Sequence, residues 1–201
     1  MLRCIRDTDG LVDLTLSQIG LFLATGILLT VVFCFIFTND WQRNAELQSL
    51  ASSFSTFLDD IDNRFFEHSA RFQFPQKEYP YVVKISTEYI VLSAKGSWNS
   101  DLQVIQRFVT RPWIRLAGQN WTTGNDLHTY LNETYGHRGT ENDSITAENF
   151  TSLCYDLNTT IPLCASCSLE ILLREPLWVE KVTIFYDDTK KHDFLLVYQV
   201  E

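Results

Sequence analysis

The hydrophobic pattern changes period along the chain, and each change marks an element. From Leu14 to Asn39 no residue is charged, and Ile19 to Phe37 (IGLFLATGILLTVVFCFIF) is apolar almost throughout. At about 1.5 Å of rise per residue, roughly 20 such residues cross a hydrocarbon core about 30 Å thick. A secretory h-region would be shorter and would end in a small-x-small cleavage site, which Phe35-Ile-Phe-Thr-Asn-Asp40 does not offer. The segment therefore reads as an uncleaved or barely trimmed membrane anchor.

Beyond it the chain keeps helical periodicity and loses overall hydrophobicity. Leu47, Leu50, Phe54, Phe57, Leu58, Ile61 and Phe65 recur at three- and four-residue steps, with Glu46, Gln48, Ser52, Asp59, Asp62 and Arg64 on the other face. No Gly or Pro interrupts from Ile27 to Phe74. One continuous helix is predicted from about Leu14 to about His68, roughly 80 Å long at the standard rise. Its apolar stripe is expected to divide near residue 55. Leu47, Leu50 and Phe54 would face sister helices, while Phe57, Leu58, Ile61 and Phe65 pack on the protein's own sheet.

After Pro75 and Pro80 the period becomes that of strands. Tyr81–Thr87 and Glu88–Ala94 are rich in β-branched and aromatic residues, consistent with two strands or one bent strand, and Asp101–Leu116 contains a further strand that Pro112 breaks or confines to an edge. Leu177–Tyr186 and Asp193–Val200 flank Asp187–His192 as a β-hairpin. Between these, Gly118–Thr160 is polar and poorly periodic, with a short helix expected over Asn125–Tyr135 and a loop over Asn158–Pro162. The fold class is therefore α+β, a long N-terminal helix packed on an antiparallel β-sheet head. The boundaries are a leader (1–13), a transmembrane helix (14–39), its amphipathic continuation (40–70) and a β-rich head (71–201).

Charge and sequons assign the sides of the membrane. Arg3 and Arg6 precede the span and only Arg43 follows it closely, so the positive-inside rule puts the N-terminus inside and the head outside. Five Asn-x-Ser/Thr sequons, at Asn120, Asn132, Asn142, Asn149 and Asn158, require that region to be translocated if they are used. From Asp40 onward there are 14 Lys/Arg against 22 Asp/Glu, a net charge of −8. An acidic head disfavours nucleic acid and anionic lipid as partners of the head. The anchor's partner is membrane lipid.

Of the five cysteines, Cys154, Cys164 and Cys167 cluster in the outer part. Cys164-Ala-Ser-Cys167 has the spacing of a zinc site, a thioredoxin-like pair or a disulfide. Zinc would call for a second pair, and His68, His128, His137 and His192 are scattered. A redox pair would open a helix after a strand, whereas this one follows the expected loop. In an oxidising exterior the simplest reading is a disulfide from Cys154 to Cys164 or Cys167. No phosphate-binding, dinucleotide, zincin or nucleophile-elbow motif is present, so no catalytic residue, cofactor or metal ligand is predicted. Asp59, Asp60 and Asp62 read as a solvated face of the helix.

A short hydrophilic leader ending Asp9-Gly10, then Leu11, then an apolar helix that runs into an amphipathic one before a β-rich head, resembles the archaeal type IV pilin-like proteins. The resemblance implies cleavage after Gly10, with Leu11 as the first mature residue, bundling of the helices into a filament core, and an outward, often glycosylated head. Asp9 stands where that family usually has a basic residue, and Thr15 where it has Glu. The implied role is structural or adhesive, as a pilin-like subunit or accessory envelope component with sister subunits as partners. The alternatives are a non-assembling anchored receptor or adhesin and an extracytoplasmic subunit of an enzyme complex.

Overall fold

The computed structural model describes residues 8–97, 100–114, 121–166 and 168–199, without the side chains of 8–16 and 158–166. It is α+β: a long N-terminal helix and two four-stranded sheets. By internal contacts the chain forms two units, Met1–Arg43 and Asn44–Glu201.

The first unit is helical from Thr8, the start of α1 (Thr8–Asp62). Its described apolar side chains are largely exposed: Phe22 and Phe35 are each 76% exposed. Three threonine hydroxyls within this stretch are satisfied locally. Thr25, Thr30 and Thr38 donate to the carbonyls of Leu21, Gly26 and Cys34 at 2.8, 2.8 and 2.7 Å. In a medium without water, an unpaired hydroxyl would cost several kcal/mol, so this back-bonding suits a lipid-facing helix. Among the described residues, α1 is the one helix long and apolar enough to cross a membrane.

In the second unit α1 continues to Asp62. The chain then forms β1 (His68–Phe72), β2 (Tyr81–Ile85), β3 (Tyr89–Lys95), β4 (Asp101–Arg107), β5 (Trp113–Ile114), α2 (Gly124–Tyr135), α3 (Ala147–Ser166), β6 (Leu169–Ile171), β7 (Leu177–Tyr186) and β8 (Lys190–Gln199). One sheet has the order β1-β7-β8-β5, and the other β4-β3-β2-β6. All pairings are antiparallel except that of β5 with β8.

Strand alternation builds two cores. On β7, Leu177 and Val179 point one way with Leu195 and Val197 of β8, into a cluster shared with Val83, Ile85, Ile90 and Leu92 of the second sheet. The stripe of α1, Leu47, Ala51, Phe54, Leu58 and Ile61, completes this cluster. On the opposite face of the first sheet, Val182, Ile184, Phe194, Leu196 and Tyr198 pack with Leu127 and Leu131 of α2 and Leu153 and Leu157 of α3. The first sheet is thus buried on both faces. The second is covered on one, the usual reason for clean alternation such as the buried and exposed residues of β2.

The hairpin forms as expected from the alternating runs, with a tighter turn, because β8 begins at Lys190 and Asp187 and Asp188 adopt positive φ. Helix α2 starts on a capping box, Thr123 with Asp126, and ends on Gly136 at φ 76°, which only glycine adopts without strain. Gly124 lies so close to β7 that an added Cβ would stand 2.5 Å from Val182 Cγ2.

Three expectations are corrected. The helix ends at Asp62, not near His68, and Phe65 lies beyond it, 97% exposed, outside the packed stripe. Leu47 and Phe54, expected beyond the head, are fully buried in its core, and Leu50 packs against the same cluster. The expected division near residue 55 is absent: the stripe lies whole within the second unit, which begins at Asn44. Asn158–Pro162, expected as a loop, belongs to α3. Asn and Thr have weak helix propensity and Pro breaks helices, so local preference pointed to a loop.

Candidate functional site

The residues that join helix to sheet form a polar cluster around the buried Lys181 and Thr183. Lys181 sits on β7 in line with Leu177 and Val179, so alternation aims its long side chain into the core beneath the end of α1. Its ammonium donates to the carbonyls of Asp62 at 2.5 Å and Arg64 at 2.6 Å and pairs with Asp193 Oδ2 at 2.9 Å. Helix termini leave carbonyls without partners, and a cation there also complements the helix dipole. The last turn of α1 has no basic residue, so a side chain 119 positions away supplies the cap. Thr183 extends the cluster: its N–H donates to Glu67 Oε1 at 2.9 Å and its hydroxyl to Asp193 Oδ1 at 2.8 Å. Burial by itself would raise the Asp193 carboxyl, but the bonds from Lys181 and Thr183 outweigh it and hold the group below the ordinary carboxylate value.

Beside this cluster lies a recess of about 430 Å³ bounded by Asp62, Arg111, Trp113, Cys154, His192 and Asp193. Most of its chemistry is already engaged. Asp59 and Asp62 accept from the Thr110 hydroxyl at 3.1 and 3.4 Å, and Asp193 serves Lys181. The His192 ring packs edge-on to Phe194. Burial pushes the Cys154 thiol up, away from the thiolate that nucleophilic chemistry requires. Among the described residues, no group of three or more His, Cys, Asp or Glu is placed to hold a metal.

The described sequon asparagines fall on two helices and the turn between them. Asn132 is exposed on α2, Asn149 lies on α3, and Asn142 is exposed in the turn that joins Thr140 to Asp143. That turn is held by Asp143, which accepts from the Arg138 N–H at 2.8 Å and lies 2.7 Å from His137 Nδ1. The bond with His137, then that with Arg138, lowers the Asp143 carboxyl below its usual value. Asn120 and the side chain of Asn158 lie outside the described residues, as do Gly10 and Leu11 side-chain contacts.

The expected staple is not formed at Cys154, which is a free thiol. Its first candidate partner, Cys164, is on the same helix, ten residues on, or about 15 Å along the axis. A disulfide spans Cα atoms no more than about 7 Å apart. Cys167 lies outside the described residues. Of the helix-packing residues, Leu47, Phe54 and Ile61 converge in one core, Leu50 and Phe57 pack at its margin, and Phe65 does not take part. The residue that sequence reasoning missed is Lys181; an inward lysine in an otherwise apolar strand face is the signal that would have found it.

Comparison with protein-family models, with curated proteins and with solved structures finds no match to this chain.

Proposed function

We propose that this is a membrane-anchored surface protein of structural or adhesive role, a pilin-like subunit or accessory envelope component with its N-terminus inside and its head outside. The observation that carries the reading is the change of environment along α1. Apolar side chains are exposed through Phe37, whereas from Leu47 the same helix forms the core of the head. A helix built this way couples a folded head to a lipid-soluble segment without a linker. Glycosylation of the outer helical layer, best presented at Asn142, belongs to the same reading.

A specific observation also favours the non-assembling alternative, an anchored receptor or adhesin. The stripe from Leu47 to Ile61 is consumed by the head's own core, so a filament would have to bundle through the segment before Asn44. N-terminal sequencing of the native protein, with fractionation of cell surface material, separates the two. A mature chain starting at Leu11 and recovered in sheared filaments supports the pilin-like role; a chain that keeps Met1 and stays with the membrane supports the anchored receptor. Recovery of the full-length protein in the soluble fraction would overturn both.

A further inference from the structure

Among the described residues the two sheets have four edges, and three are short or interrupted: β5 has two residues, β6 three, and β1 five with His68 and Arg71 among them. The fourth, β4, has seven residues, Asp-Leu-Gln-Val-Ile-Gln-Arg, with no Pro or Gly and no charge except at its two ends. Natural sheets usually defend such an edge with central lysines, prolines or bulges. This one has none of them.

The hydrogen-bond phase of β4 is known. Phe108 N–H donates to Glu88 O at 2.9 Å and Gly96 N–H to Ser100 O at 2.8 Å, at the two ends of the β3–β4 ladder. Antiparallel ladders alternate, so 102, 104 and 106 bond inward to β3, and 101, 103, 105 and 107 turn their N–H and C=O groups outward. The same four side chains lie on the exposed face of the sheet, Ile105 at 60% exposure, whereas Leu102 and Val104 sit half-buried at the margin of the core.

We propose that β4 pairs antiparallel with β4 of a second copy, about a two-fold axis at Val104, joining the two sheets into one. The sequence of the edge is complementary to itself in this register. Asp101 meets Arg107 of the second copy, Gln103 meets Ile105, and Val104 meets Val104. The register aligns outward groups with outward groups and keeps exposed faces together, as sheet continuity requires. Opposite charges close both ends, and a shift of two residues would lose both pairs. Asp101 already takes Lys95 at 2.6 Å through Oδ1, so each end gathers two cations around one carboxylate. The described sequon asparagines are on α2, α3 and the turn between them, and the β4-bearing sheet carries none. This pairing stands whether or not the helices assemble.

The test uses the full chain in detergent micelles. At a non-hydrogen-bonded antiparallel position the Cα atoms are about 4.5 Å apart, within disulfide reach. Under mild oxidation V104C should give a discrete covalent dimer, mapped by peptide mass to the substituted position. The unsubstituted chain and V82C, on the inner strand β2, should stay at background. In the V104C chain, D101R and R107D should each lower the dimer yield about tenfold by setting like charges opposite one another, and the D101R/R107D double reversal, made together with K95E so that Arg at 101 keeps an acidic neighbour on β3, should restore it. If V104C alters the fold, seen as a shift in tryptophan emission, the pair Q103C/I105C carries the same test. No dimer above background, a ladder of larger species in place of a dimer, or a double reversal that fails to restore the yield would overturn the proposal.

Discussion

Lys181 shows how one residue can decide an element 119 positions away. Replacing it with methionine keeps the apolar stem but leaves two carbonyls and the Asp193 carboxylate without their cation. K181M should destabilise the head by about 2–3 kcal/mol, read from denaturant unfolding followed by tryptophan emission, since a buried charge left unpaired costs on that order. An unchanged midpoint would mean that water replaces the ammonium. The pH dependence has a definite sign. Asp193 is held low when folded, so its contribution is present above the unfolded value, about 4, and is lost as pH falls through the folded one. D193N should therefore flatten the acid limb of the stability curve, and a curve parallel to that of the unsubstituted chain would contradict the assignment.

At the scale of elements, the C-terminal half of α1 is a core helix of the head. Phe54 is fully buried, with ring centroids 5.1, 5.6 and 5.9 Å from those of Phe72, Phe74 and Phe108. F54A should cost about 3–5 kcal/mol, the usual range for a truncated core aromatic. F65S should change stability by less than about 0.5 kcal/mol, because that ring touches little. Equal losses from the two substitutions, measured by thermal melting, would refute the placement of the helix end. The same packing means that L50D, which places a charge at the margin of this core, destabilises the head itself; it does not isolate helix bundling. The stripe was legible because a 3.6-residue period survives any environment. Its end was not, because the period continues to Phe65 while the helix stops at Asp62, whose carbonyl Lys181 takes.

For the whole molecule, the proposed outward placement of the head is open to a direct measurement. Deglycosylation of the native protein should lower its mass in steps, with Asn142 among the occupied sites, and a mass equal to the bare polypeptide would remove the outward assignment. The amino-acid sequence by itself determined the long apolar helix, the amphipathic stripe, extended structure over β2 and β3, the hairpin of β7 and β8, and the break at Pro112, because each rests on short-range periodicity or on backbone chemistry. Only the tertiary structure decided that the strands divide into two sheets, that α3 runs through a stretch rich in Asn and Thr, that β1 and β6 exist, and that one sheet is buried on both faces. Those features depend on which apolar faces find each other across long sequence separations. Burial of Leu153 and Leu157 against Val182 and Phe194 outweighs weak local propensity, and no window of neighbouring residues records that balance.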